Sequence, residues 1–250
     1  IAKSFNFNIK PLDVNTSGTV WEISPDGKTL IQPLTSVKGL GEAAIAQILD
    51  NRPFENIEEF IFNEDIVYSK LNKKAIDVLI RSQALNDLMD ERFTGLKHFW
   101  SSIIIERPKN KKKLNEKILE YAAEGDFSKE EKIDYLSSLT GVFPLDMILS
   151  DDTRNKLENQ CIPSISEYDS DVPVCWFIAR EVIKKTSKNG RDYLVVNVID
   201  DTSKATTIRC WNVRPGDNVQ LNKPYMAKLK YDPNWGFSTY SIKQNFRVLP

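Results

Sequence analysis

The sequence predicts an α+β chain: a helical front that carries a tandem hairpin domain, then a small five-stranded barrel. Three observations predict it. Before residue 140, apolar residues recur at i, i+3, i+4 in several separated segments. After residue 172, strict alternation takes over. Turn residues punctuate both halves, as Gly39-Leu40-Gly41 in the first and Asn189-Gly190 in the second. With 250 residues, 41% of them hydrophobic and 28% charged, the chain has length enough for two or three domains.

Residues 1–35 read as a strand-containing lead-in, in which Val20 to Ile23 and Thr29 to Gln32 flank a turn at Ser24-Pro25-Asp26-Gly27. Residues 36–92 read as the tandem hairpin domain. Lys38 leads into Gly39-Leu40-Gly41, and a helix with Ala44, Ile45, Ile48 and Leu49 on one face opens at once. Two glycines one residue apart permit a sharp turn with no Cβ above it. The amides of the turn and of the first helical turn then point at an anion, and the helix dipole favours negative charge there. A helix-hairpin-helix module holds a nucleic-acid phosphate in this way without reading a base. Lys38, Gly39, Leu40 and Gly41 are the candidate contacts.

Asn51-Arg52-Pro53-Phe54 breaks that helix, and Asn56 to Phe62 reads as a short one. Lys70 to Leu85 follows, with Asn72 as N-cap and Ala75, Ile76, Leu79 and Ile80 on one face. This is a second hairpin unit without a glycine pair, with Lys70, Lys73 and Lys74 at its mouth. Residues 93–171 read as a helical connector and linker. Leu96 to Ile105, Leu114 to Ala123 and Lys129 to Leu139 have helical spacing, the last capped by Ser128. Arg107 to Lys113 is a basic run with the composition of a solvated loop, Asp151 to Asp171 is a polar linker, and His98 is expected at the surface.

Residues 172–250 carry the barrel. Val174 to Lys185, Arg191 to Ile199, Thr206 to Trp211, Tyr225 to Tyr231 and Phe237 to Ile242 read as five strands, with Phe246 to Leu249 extending the last. Short strands of this kind predict an OB-fold. Trp176 and Phe177 point opposite ways, so one of them is core. Tyr193, Arg209 and Trp211 fall opposite the aliphatic stripes, Lys184, Lys185, Lys188 and Arg191 flank the first loop, and Trp235 lies on the last. Exposed aromatics that stack on bases, with cations that follow the backbone, hold single strands. The competing reading makes Trp211 and Tyr193 lids over a barrel end.

A formal net charge of −1 hides a division. Residues 172–250 hold 13 Lys+Arg against 6 Asp+Glu, a balance of +7, and the rest of the chain carries −8. A basic tail on an acidic body is where a polyanion sits. Pro33 to Asp90 has 6 Lys+Arg against 10 Asp+Glu, which works against strong phosphate binding.

Three segments resemble the family C replicative DNA polymerases, the alpha subunits of bacterial DNA polymerase III. Ile9-Lys10-Pro11-Leu12-Asp13-Val14-Asn15-Thr16-Ser17 is similar to that family's I-x-P-P-D-V-N-x-S. Val37 to Ile45 is similar to its I-K-G-V-G-E-A-A-I, and Leu71 to Leu88 to its L-N-K-R-A-L-E-A-L-I-K-A-G-A-F-D. Leu139 to Asp146 is more weakly similar to L-G-F-Y-L-S-x-H-P-L-D. Leu12 replaces the second proline, and Pro144 lacks the preceding histidine, departures that point to a distant, viral or bacterial, member. The resemblance implies DNA replication, with duplex and single-stranded DNA, the rest of the polymerase, and replisome subunits such as a sliding clamp as partners. It also implies an OB domain after the hairpin domain and a cytoplasmic location, bacterial or viral within a bacterial host. No copy of the family's glutamine-led clamp-binding motif stands between the modules.

No catalytic site is read in this chain, and no cofactor: the family's palm aspartates, which hold magnesium in the parent polymerase, precede the matching part. Asp200-Asp201 before Thr202-Ser203-Lys204 reads as a turn rather than a metal site. Cys161, Cys175 and Cys210 stand far apart, with neither CxxC spacing nor a disulfide framework. No apolar run reaches transmembrane length, so no membrane is expected as a partner. The start at Ile1, without a signal segment, reads as a fragment or a processed end. The alternative function is a protein-interaction scaffold within a replisome, with little DNA affinity of its own.

Overall fold

A computed structural model of the chain describes residues 8–202 and 204–249. The first seven residues of the lead-in, and Ser203 of the expected turn, lie outside the described residues. The chain divides into two compact units, one reaching Phe143 and the other starting at Pro144.

The first unit opens with β1 (Asn8–Lys10), β2 (Glu22–Ile23) and β3 (Thr29–Ile31), in the sheet order β1-β3-β2. The hairpin turn forms where expected. Asp26 accepts from the Lys28 amide at 2.8 Å and from the hydroxyls of Ser24 and Thr29. Those donors hold its carboxyl down at about 2. Between β1 and β2, the Pro-Leu-Asp-Val-Asn-Thr-Ser segment is a clasp. Asp13 accepts from the Asn15 amide at 2.8 Å and the Thr16 hydroxyl at 2.9 Å. The Asn15 side chain then pairs in both directions with the backbone of Phe54, each bond 2.8 Å. The Val14 amide donates to the Ala84 carbonyl at 3.0 Å, and Arg52 to that of Ser17 at 2.8 Å. With Leu12 and Val14 buried in the helical core, the lead-in is built into the hairpin domain rather than placed ahead of it.

The helices are α1 (Glu42–Asn51), α2 (Ile57–Phe62), α3 (Lys73–Arg81), α4 (Leu96–Trp100), α5 (Lys111–Glu120) and α6 (Lys129–Thr140). Asn56, Asn72 and Asn110 each cap a helix through a side-chain oxygen, satisfying an orphan amide of the first turn. Ser128 and Glu131 make a reciprocal capping box at α6. Ile45, Ile48, Phe60, Ile76, Leu79, Phe99 and Leu114 belong to one core, so α4 and α5 share the hydrophobic centre of the hairpins. The α6 end is tied on as well: the Lys38 amide donates to the Leu139 carbonyl at 2.7 Å, and Gln32 to that of Thr140 at 3.2 Å.

Two expectations in this unit are corrected. The basic run is not a loop up to Lys113, because the Asn110 cap starts the helix at Lys111. His98 is fully buried, not at the surface. Its Nε2 lies 2.7 Å from the Ile118 carbonyl, which only accepts, so Nε2 carries the hydrogen and Nδ1 accepts from the Thr94 amide at 3.0 Å. Both ring nitrogens are satisfied, and the residue is structural.

The second unit begins with α7 (Leu145–Ile148) and α8 (Asp151–Asn159). Ser150 caps α8, so this part of the expected polar linker is helical. The rest of it is fastened to the sheet: the Trp176 amide donates to the Pro163 carbonyl, the Ser166 amide to Asp200, and the Tyr168 hydroxyl to the Leu229 carbonyl. This segment explains why Trp176 and Phe177 are both buried although they face opposite ways, since it covers the side that carries Trp176.

The strands are β4 (Val174–Thr186), β5 (Asp192–Ile199), β6 (Thr206–Cys210), β7 (Pro224–Lys228), β8 (Lys230–Asp232) and β9 (Gly236–Thr239). After α9 (Ile242–Asn245) comes β10 (Phe246–Val248). The sheet order is β10-β7-β4-β5-β6-β9-β8. Only Leu229 separates β7 from β8, yet they lie near opposite ends of that order, so the sheet curls into a half-barrel. Phe177, Val196, Val198, Ile208, Cys210 and Ala227 fill its inside. The last stretch is corrected: Phe246–Val248 does not extend β9 but pairs antiparallel with β7, because α9 reverses the chain first.

Candidate nucleic-acid interface

In the first unit the hairpin turn stands at the mouth of α1. Gly39 has φ +89°, a conformation that costs other residues strain, so glycine is needed there. Gly41 caps α1 with φ −81° and open space where a Cβ would stand. The amides of Gly39, Gly41, Glu42 and Ala43 make no backbone hydrogen bond among the described residues, whereas those of Lys38 and Leu40 donate to Leu139 and Val37. The side chain of Leu40 is buried, which anchors the turn from below. A Cβ on Gly39 would lie 3.8 Å from Cε of Lys74, so the lysine of the second hairpin stands beside the turn of the first. Lys38, Lys70 and Lys74 are exposed without an ion pair among the described residues, and Lys73 reaches the Ile105 carbonyl at 3.4 Å. One group opposes an anion here: Glu42 lies in the first turn of α1.

Three of the four lysines of α5 stand in ion pairs. Lys111 pairs with Glu58 at 3.3 Å, Lys113 with Glu116 at 2.6 Å, and Lys117 with Glu106 at 2.8 Å. Replacing Lys111, Lys112 and Lys113 with alanine is therefore expected to change the log–log salt slope of duplex binding by less than one phosphate contact, about 0.9. A salt titration of the triple variant against the parent checks this.

In the second unit, strand register gathers four of the predicted residues, Lys185, Tyr193, Arg209 and Trp211, on the outward face of the half-barrel. Lys185 stands opposite Tyr193, and Ile183, Val195, Arg209, Ser238 and Lys230 form the next row across β4, β5, β6, β9 and β8. Tyr193 and Trp211, both half-buried, stack on one another with centroids 4.6 Å apart and planes 28° from parallel. Arg209 donates to the Trp235 carbonyl, which joins this face to the loop between β8 and β9. There the Trp235 side chain is 71% exposed. Ser187, Lys188, Gly190 and Arg191 make the tight loop between β4 and β5, closed by the Ser187 amide on the Arg191 carbonyl at 2.8 Å.

Not every predicted cation is free. Lys184 pairs with Asp192 at 2.6 Å, and this contact, with the Thr186 hydroxyl, holds the Asp192 carboxyl below its usual range. Lys185, Lys188 and Arg191 make no ion pair among the described residues. The sequence reading missed Lys230 and Ser238, although the alternation from Tyr225 to Tyr231 puts Lys230 outside. Asp200 accepts from the Ser166 and Thr202 amides at 2.8 and 3.0 Å and from the Thr202 hydroxyl at 2.6 Å. A buried carboxylate so occupied does not fit a magnesium site. No helix among the described residues is long and apolar enough to cross a membrane.

Residues 6–95 match the family model described as a helix-hairpin-helix motif. No curated protein matches the chain. Among solved structures, the HINb domain of p204 is similar at 13% identity and a TM-score of 0.27, over 44% of this chain and 57% of that one.

Proposed function

We propose that the chain is the DNA-handling part of a family C replicative polymerase. In this reading the hairpin unit grips duplex backbone, and the half-barrel is an OB-fold that holds single-stranded template. The observation that carries it is the outward face on which Lys185, the Tyr193–Trp211 stack and Arg209 lie together, joined through Arg209 to the loop that holds Trp235. An OB-fold is a five-stranded Greek-key barrel that binds oligonucleotides on the face of its second and third strands and on the loops after its first and fourth. If β7 and β8 are taken as one strand, β5 and β6 are the second and third. The loop with Lys188 then follows the first strand, and Trp235 stands on the loop after the fourth. The order of the motifs at Ile9–Ser17, Val37–Ile45 and Leu71–Leu88 supports the polymerase assignment.

A scaffold reading rests on the charge of this region: Pro33 to Asp90 is net acidic, and Glu42 lies in the first turn of α1. Fluorescence anisotropy of the full chain separates the two. Tighter binding to labelled oligo(dT) than to a duplex of the same length is expected, with both falling as salt rises. Binding of neither at low salt overturns the DNA reading in favour of the scaffold.

A further inference from the structure

We propose a second base-binding pocket in the half-barrel, on the opposite face of the β8–β9 hairpin from the Arg209 row; it rests on the single-strand reading above. Ile165, Ser166, Tyr168, Lys204, Thr206, Tyr231 and Phe237 line a cavity of about 270 Å³, room for one nucleobase. Its rings form a built cluster. Phe237 lies 5.1 Å from Tyr168, edge to face, and 4.9 Å from Tyr231. The Tyr168 hydroxyl is fixed by its 3.0 Å bond to the Leu229 carbonyl, so that ring is held in place. Tyr231 packs on Phe237 and still remains 53% exposed, so part of its ring is open to a guest.

The lining chemistry selects the guest. An aromatic cluster accepts either a cation or a flat π-system. Lys204 at the same cavity puts a positive charge there, which repels a cation and attracts the phosphate attached to a base. The hydroxyls of Ser166 and Thr206 add hydrogen-bonding groups for a base edge. Two carboxylates of this region are already occupied: Asp200 accepts from the Ser166 amide and from Thr202, and Asp232 accepts from the Asn234 and Trp235 amides. The pocket is continuous with the first face through the hairpin itself. Tyr231 and Phe237 are cross-strand partners, their neighbours Lys230 and Ser238 point to the Arg209 row, and Trp235 stands at the tip. A strand that leaves Trp211 and Arg209 and turns over Trp235 brings a later base to Tyr231.

The test is length dependence with the full chain, by anisotropy with labelled oligo(dT) of about five and about twelve nucleotides, within the site sizes of OB-folds. Tyr231→Ala is expected to weaken the longer oligonucleotide about tenfold and to leave the shorter within about twofold. Tyr231→Phe, which keeps the ring, is expected to match the parent at both lengths. Equal binding by parent and Tyr231→Ala at both lengths overturns the pocket. Equal loss at both lengths also overturns it, because the ring then supports the barrel rather than a later base. Trp211→Ala in the same series is the control for the first face: loss at both lengths with no effect of Tyr231→Ala sinks the pocket alone. An unchanged affinity of Trp211→Ala sinks the single-strand face on which the pocket depends.

Discussion

Gly41→Val is expected to weaken duplex binding about tenfold or more, to a similar degree for every duplex sequence, with little change in melting temperature. The fold tolerates the change because Gly41 has φ −81° and nothing lies within 4 Å of the place a Cβ would take. Binding does not tolerate it, because an isopropyl group at the helix cap stands where a phosphate must approach the free amides of Gly41, Glu42 and Ala43. A hydrogen bond to a charged group contributes about 1.5–3 kcal/mol, so loss of one accounts for the expected factor. Phosphates carry no base identity, hence the uniformity. Gly39→Val is the contrast. At φ +89° its cost is backbone strain of about 1–3 kcal/mol, read as a lower melting temperature. Glu42→Gln is expected to move duplex affinity upward, since it removes a charge of the phosphate's sign from the first turn of α1. Duplex titrations and thermal melts of the three variants check the set. Unchanged duplex affinity in a folded Gly41→Val removes the hairpin from the binding surface.

What the sequence made legible follows from what is local. Asn72 and Ser128 cap helices where the sequence placed them, because a cap and an apolar stripe are read within a few residues. The outward position of Tyr193, Arg209 and Trp211 was legible for the same reason, since alternation fixes faces once strands are granted. Long-range partners were not legible. The role of Asp13-Val14-Asn15 depends on Phe54 and Ala84, and nothing in the motif names them. The interior place of His98 depends on a carbonyl at Ile118. Lys184 and Lys185 look alike in sequence, but their strand sends one to Asp192 and the other to the aromatic face. The helix at Asp151–Asn159 was read as linker because its exposed face is almost wholly polar, with only Thr153 and Leu157 buried.

Trp211→Ala is expected to lower single-strand affinity by about 1–3 kcal/mol, roughly 5- to 150-fold, the range for loss of one base-stacking ring. The ring is half-buried and lies against Tyr193 at 4.6 Å, so one face of the pair is taken by the partner. A base adds to the outer side of that stack, and Arg209 and Lys185 flank it with charge for the backbone on either side of the base. If Trp211 were instead a lid over the core, truncation would cost about 3–5 kcal/mol of stability, as for a buried aromatic. Its exposure argues for less, because the interior is already filled by Val196, Ile208 and Cys210 from the other face of the sheet. Duplex affinity is expected to change little, since stacked bases hide the faces that Trp211 needs. Trp211→Phe, which keeps a stacking ring, is expected to recover most of the single-strand affinity. The melting temperature and the oligo(dT) affinity of the same variant decide the matter. A large fall in stability with unchanged affinity per folded molecule assigns Trp211 to the core and leaves the face without its central ring.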